Sequence, residues 1–144
     1  MRKDHLKRPP IGVMNEALWI KQCCQIRARA EDFLEGRIGL FDVAAQLRRL
    51  AFATRVHGDA DFLVFDHVLG DSLGLPVGAE RAYWSAEGLA REDVKIRAVE
   101  TRWRELAVVA AKSLTVRYAW SLDARARLRS AGMREENSDD DNAG

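Results

Sequence analysis

The chain has 144 residues, 47% of them apolar, and its formal net charge is +1. A chain of this length and composition predicts one domain with a hydrophobic core. The near balance of charge argues against a disordered chain and against a strongly basic nucleic-acid binder. No apolar stretch approaches the roughly 20 residues that span a membrane, and we see no secretory signal. We therefore expect a cytoplasmic protein without a membrane partner.

The two ends of the chain differ from the middle in charge and in proline content. Residues 1–13 begin with basic side chains and contain Pro9 and Pro10, each of which keeps the preceding residue out of helical conformation. Residues 123–144 begin as a basic, amphipathic continuation of the last helix and finish in a cluster of acidic side chains. We predict a basic arm at 1–13, a helical domain at 14–122, and at 123–144 a basic helix extension followed by an acidic, disordered tail.

Apolar residues recur at steps of three and four along most of the chain, which is the spacing of one helix face. No stretch alternates between apolar and polar residues as a half-buried strand does. We predict an all-α bundle of four main helices plus one short helix, with a long C-terminal helix. The predicted helices cover about residues 15–35, 40–56, 60–71, 79–84 and 92–121, and Ser85 is expected to cap one further turn before the last of them.

The third predicted helix, residues 60–71, is apolar almost all round. Its apolar side chains cover more than half of its circumference, so we expect a central helix that packs on two or more sides. One line of large side chains on this helix consists of Phe62, Phe65, Leu69 and Leu73.

The chain lacks the common sequence motifs of catalysis and of cofactor binding. Its glycines match no phosphate-binding loop, and it has no serine elbow, no Cys-x-x-Cys pair and no His-Glu-x-x-His helix. Cys23 and Cys24 are adjacent, which strains a disulfide between them. We expect two buried thiols in a reducing compartment. We predict no enzyme activity and no cofactor.

Two histidines stand four residues before an aspartate. His57 precedes Asp61 and His67 precedes Asp71, a spacing that on one helix places an imidazole beside a carboxylate. Gly58 interrupts the first pair. A zinc or iron site needs further converging ligands, which the sequence does not supply, so surface pairs and caps are favoured over a metal site.

Acidic residues cluster along the third predicted helix and just before it. Asp59, Asp61, Asp66 and Asp71 form a candidate acidic edge, and Arg81 follows shortly after it in the chain. Such an edge complements a basic protein surface, which speeds association and favours specificity. The same residue types also suit helix caps. We predict these five residues as the partner-binding site.

Arg81 and Trp84 stand three residues apart in the predicted short helix. One interpretation is a recognition spot, because arginine and tryptophan are enriched among interface hot spots. The other, which we favour, is that Trp84 plugs the bundle while Arg81 pairs with an acid at its edge, such as Asp66 or Asp61.

Three segments of the chain resemble a known family. They are D-A-D-F-L-V-F at residues 59–65, L-P-V-G-A-E-R-A-Y-W at 75–84, and the helix end A-A-K-S-L at 110–114. Together they are similar to a family of small uncharacterised bacterial helical proteins with D-x-x-F and L-P-x-G-x-x-R-x-x-W segments. The resemblance covers roughly residues 16–118. It implies the same order of helices and no catalytic residues.

These features predict a non-enzymatic interaction protein. Small proteins of this type are often immunity partners of bacterial toxins, so we expect a protein that binds and neutralises a cognate toxin encoded next to it. The alternative is a helical regulatory protein that contacts nucleic acid through the basic residues 117–129, although acidic residues interleave with the arginines over most of the chain. Trp103 and Trp120 on the long helix leave a homodimer open.

Overall fold

The computed structural model of the protein describes residues 8–132. Over this range it contains α-helices, one short 3₁₀ helix and no strand, which confirms the predicted all-α bundle. No helix in this range is long and apolar enough to cross a membrane. Most of the predicted basic arm (residues 1–7) and the predicted acidic tail (residues 133–144) lie outside the described residues. The helices are α1 (Glu16–Leu34), α2 (Leu40–Ala53), α3 (Ala60–Asp71), the 3₁₀ helix (Ala79–Tyr83), α4 (Ala86–Arg117) and α5 (Trp120–Ser130).

The first two helices each bury one apolar face, as the spacing of apolar residues in the sequence predicts. Asn15 caps α1, because its side chain accepts a hydrogen bond from the N–H of Leu18 at 2.9 Å. Gly36 follows α1 with a φ of +79°, a conformation in which a side chain would be strained. The buried stripe of α1 is Trp19, Cys23, Ile26, Ala30 and Phe33, and that of α2 is Leu40, Val43, Ala44, Leu47, Leu50 and Ala51.

α3 contacts both α2 and α4, which confirms that it packs on two sides, but it is not buried all round, because Leu63 is 39% exposed. Its buried side chains are Phe62, Phe65 and Val68. Leu73, predicted on the same line of side chains, is instead 82% exposed. The reason is that α3 ends at Asp71, and Gly74 with a φ of +81° redirects the chain immediately afterwards.

α4 begins earlier than the sequence predicts. Ser85 caps it by accepting a hydrogen bond from the N–H of Gly88 at 3.0 Å. The predicted extra turn and the predicted long helix are therefore one helix of 32 residues. It ends at Arg117 rather than at residue 121. The ring of the next residue, Tyr118, is buried in the core and meets Phe62 edge-on, with 6.3 Å between ring centroids.

α5 packs against α1 instead of extending α4 as a free basic end. The rings of Trp19 and Trp120 lie 5.4 Å apart, and Ala124 is buried in the core. At the bend between α4 and α5, the Cys24 thiol donates a hydrogen bond to the carbonyl of Ser121 at 3.2 Å. The packed helices therefore continue past the predicted end of the helical domain. Trp120 therefore packs within the chain and is partly buried; the homodimer stays a prediction.

Candidate functional site

Asp59 and Asp61, two of the predicted partner-binding residues, are bound by a single arginine of α4. Arg117 donates to both carboxylate oxygens of Asp59, at 2.8 and 2.7 Å, and to Oδ2 of Asp61 at 2.7 Å. The Ser113 hydroxyl donates to the same Asp61 oxygen at 2.6 Å. Asp59 also caps α3 by accepting from the N–H of Asp61 at 3.0 Å. These contacts tie the start of α3 to the end of α4.

The pairing of Asp59 with Arg117 favours the ionised form of each side chain. Burial raises the pKa of Asp59, but the hydrogen bonds and the charge of Arg117 outweigh it, so the pKa lies below its usual value. The hydrogen bond to Asp59 raises the pKa of Arg117 against the effect of burial. Burial also raises the pKa of the Tyr118 hydroxyl. A cluster with its charges paired in this way stabilises the fold and leaves little free charge for a partner.

The other two aspartates of the predicted edge also face donors from neighbouring helices. Asp66 lies 3.7 Å from Nε of Arg48 on α2. Asp71 accepts a hydrogen bond from the indole N–H of Trp103 at 2.7 Å and lies 3.5 Å from Arg102. The four aspartates therefore divide among three helix contacts and do not form one open acidic surface.

The predicted imidazole–carboxylate pairs are replaced by ring stacking. His67 lies parallel to the indole of Trp103 with 5.2 Å between ring centroids, and that indole donates to Asp71. His57 stacks on Phe52 at 4.4 Å. Within residues 8–132 no group of three or more histidine, cysteine or acidic side chains is arranged to hold a metal ion.

Arg81 pairs with a residue that the sequence argument did not consider. It donates to the two carboxylate oxygens of Asp93 on α4 at 2.9 and 3.4 Å, and to the carbonyl of Pro76 at 2.9 Å. The predicted pairing with Asp66 or Asp61 is wrong. Asp93 lies two turns into the helix that directly follows the 3₁₀ helix.

Trp84 does not plug the bundle, contrary to the favoured prediction. Its side chain is 40% exposed. It lies against Gly88, where an added Cβ would come within 3.1 Å of the ring. Because Trp84 covers the first turn of α4 from outside, it remains partly open to solvent.

A groove that the sequence did not predict lies between α2 and the end of α3. It is formed by residues 45–52 of α2 and residues 69–77, and it encloses about 540 Å³; we call it the α2 groove. Leu73 on its border is 82% exposed and Phe52 is 51% exposed. Arg48 and Arg49 also line it, and none of its described lining residues is acidic.

Two neighbours hold Phe52 at the border of the α2 groove. The His57 ring lies parallel to it, with an interplanar angle of 4°. The Arg48 guanidinium lies over the ring at 5.6 Å from its centroid. These contacts place the ring of Phe52 at the border of the groove.

The sequence carries a weak signal for this surface. Arg48 and Arg49 are adjacent on the polar side of α2, and Leu73 directly precedes Gly74 beyond the end of a helix. Helical spacing places Leu73 on the apolar face of the third helix and so predicts a core residue. Its position beyond the end of that helix, directly before a glycine, instead indicates the surface.

Both cysteines are free and buried, which confirms the predicted pair of buried thiols. Burial raises the pKa of Cys23, and a thiol whose pKa is raised has less of the thiolate that a nucleophile needs. Cys24 is engaged through its hydrogen bond to Ser121.

Comparisons of the chain with models of protein families, with curated proteins and with solved structures found no match. The resemblance to small bacterial helical proteins stays a prediction. The geometry offers three features for function: the paired aspartates, the Arg81–Asp93 pair and the α2 groove.

Proposed function

We propose that the protein is a non-enzymatic interaction protein, and that it binds and neutralises a cognate bacterial toxin as an immunity protein does. The observation that carries the proposal is the α2 groove, where Leu73 is 82% exposed beside two arginines. Arginine and aromatic side chains are enriched at protein interfaces. Exposed apolar residues grouped at a groove mark an interaction site more often than apolar residues scattered singly over the surface.

The rigidity of the surroundings supports the same function. The opposite face of α2 is buried in the core through residues such as Leu47 and Leu50. One wall of the groove is therefore a helix packed on the core, which lowers the entropic cost of binding a partner. The acidic edge supports the proposal less, because Arg117 already occupies Asp59 and Asp61.

Co-expression with the product of the adjacent gene tests the proposal. We expect the two proteins to co-purify as a stoichiometric complex, and we expect the protein to relieve the growth arrest that the adjacent product causes alone. An unrelated helical protein of similar size serves as the control. An adjacent product that does not bind, or that arrests growth equally in the presence of the protein, would refute the immunity function.

A second candidate function is nucleic-acid binding through α5. Arg127 and Arg129 are exposed in its last turn, which favours contact with phosphates. Arg117, at the start of the predicted basic stretch, is instead bound to Asp59. Chromatography on heparin at about 50 mM salt tests this candidate: elution in the unbound fraction would remove it, and retention that falls steeply with salt would support it.

A further inference from the structure

We propose that the α2 groove binds an amphipathic helix of the partner protein, whose apolar face enters the groove and whose flanking carboxylates meet Arg48 and Arg49. This inference rests on the proposed function in that it assumes a protein partner, and it names the partner's contact element. A volume of about 540 Å³ lies within the range of roughly 300–1,000 Å³ typical of ligand sites. It accommodates a few large side chains rather than a whole domain.

The charge of the groove selects an acidic occupant. Arg49 is exposed, and within residues 8–132 it has no acidic partner. Arg48 lies 3.7 Å from Asp66, a long contact for an ion pair, and is 56% exposed. The described groove lining contains two arginines and no acidic residue, so it favours an occupant with carboxylates. A guanidinium binds a carboxylate through two parallel hydrogen bonds.

The apolar part of the groove selects a helix. Leu69, Leu73 and Val77 place apolar side chains along the segment opposite Phe52 of α2. Grooves of this kind between helices bind the apolar face of an amphipathic helix through side chains at positions i, i+3, i+4 and i+7. The described residues contain no strand edge to which an extended peptide could add.

The state of Phe52 argues for protein rather than single-stranded nucleic acid. A base would stack on an open aromatic face. The Phe52 ring is already stacked with His57 at 4.4 Å and has the guanidinium of Arg48 at 5.6 Å from its centroid. A base would have to compete with these two neighbours for the faces of the ring.

Two variants in the groove and two matched variants outside it test the proposal on the full chain. Leu73→Ser and Arg49→Glu alter exposed positions, so we expect thermal unfolding to be unchanged. Leu106→Ser and Arg91→Glu make the same changes at exposed positions of α4, which does not line the groove. Against the adjacent-gene product, each groove variant should weaken binding about tenfold or more, and each α4 variant should bind like the unmodified protein.

If the unmodified protein binds that product and the groove variants bind it equally well, the groove assignment is wrong while the proposed function stands. A second arm does not depend on the identity of the partner. A library of random 20-residue peptides displayed on phage is selected on the unmodified protein and counter-selected on the L73S/R49E double variant.

We expect the selected peptides to combine apolar residues at helical spacing with Asp or Glu, and to lose binding to the double variant. Peptides without acidic residues, peptides that bind the double variant equally, or the absence of any selected peptide would each overturn the proposal. Success in this arm with failure of the co-purification would refute the immunity function and retain the groove.

Discussion

Replacement of Arg117 by alanine removes the side chain that joins the start of α3 to the end of α4. The substitution leaves Asp59 and Asp61 facing each other without a cation, at side-chain exposures of 16% and 24%. Ser113 still donates to Asp61, so only part of the network is satisfied. The mutant must either keep two partly desolvated carboxylates together or separate the two helix ends.

The expected loss follows from the burial of this network. Removing one partner of a fully buried ion pair costs about 3–5 kcal/mol. Because the three side chains retain 16–24% exposure, we expect a smaller loss of about 2–3 kcal/mol in the free energy of unfolding. Arg48→Ala is the matched control. Arg48 is 56% exposed and lies 3.7 Å from Asp66, so its loss should stay within about 0.5 kcal/mol.

The pH dependence separates this charge network from a loss of packing. Despite the opposing effect of burial, Arg117 holds the folded-state pKa of Asp59 below 3.8. The stability that Asp59 contributes is therefore fully present above that unfolded value and is lost as pH falls through the folded pKa. Without Arg117, burial instead penalises the ionised carboxylate, and protonation relieves this penalty. The deficit of Arg117→Ala should consequently be largest at pH 7 and shrink below about pH 4.

Urea denaturation followed by tryptophan fluorescence at pH 7 and at pH 3 measures the loss of unfolding free energy and its dependence on pH. At pH 7 the midpoint of Arg117→Ala should fall by about 1 M or more relative to the unmodified protein. A deficit below about 0.5 kcal/mol at pH 7 would refute the idea that the cluster stabilises the fold. A deficit of equal size at both pH values would show that Arg117 acts through its packing rather than its charge.

Three further predictions follow from local geometry. Ser85→Ala should destabilise by about 1 kcal/mol through loss of the α4 cap, whereas Ser85→Asp should restore most of it in the same urea assay. Gly36→Ala should destabilise by about 1 kcal/mol because Gly36 has a φ of +79°. An added Cβ would meet nothing within 4 Å at Gly36 or at Gly58, but Gly58 does not have a positive φ, so Gly58→Ala should cost less. Equal losses at the two positions would show that the φ of Gly36 does not set the cost. Cys23 and Cys24 are buried, so Ellman's reagent at pH 8 should label neither thiol rapidly until urea unfolds the protein; fast labelling would contradict their burial.

The parts of the fold that the sequence predicts are those in which one helix face is buried throughout. The apolar stripe from Trp19 to Phe33 on α1 and the stripe from Leu40 to Ala51 on α2 follow helical spacing and are buried. Local spacing and tertiary burial agree there, so periodicity is sufficient.

The position of α5 could not be predicted from the spacing of apolar residues. Its sequence carries three arginines among eleven residues, so spacing alone indicates a basic, amphipathic extension of α4. Its position depends on distant contacts, including the hydrogen bond between Cys24 and Ser121, which are 97 residues apart, and the packing of Trp120 on Trp19. The spacing of apolar residues along the chain does not show which residues distant in sequence meet in the fold.

The candidate site was only partly predictable for the same reason. The sequence identifies the aspartates along α3, but their partners are Arg48 on α2 and Arg102 and Arg117 on α4. The hydrogen bonds from Arg117 to Asp59 span 58 residues. The sequence therefore predicts where the acidic side chains are, and it leaves open whether they face solvent or a guanidinium.

Because arginines of α2 and α4 pair with the aspartates of the predicted edge, the charge expected at the partner interface changes from negative to positive. An open acidic edge would select a basic toxin surface, whereas the exposed apolar residues lie beside Arg49, whose charge no described acid compensates. The contact segment of the partner should accordingly be acidic. Raising the salt concentration should then slow association of the unmodified protein more than that of Arg49→Glu. If salt instead slowed both equally, the steering charge would lie elsewhere, and Asp66 and Asp71, the more exposed members of the predicted edge, would become the positions to change next.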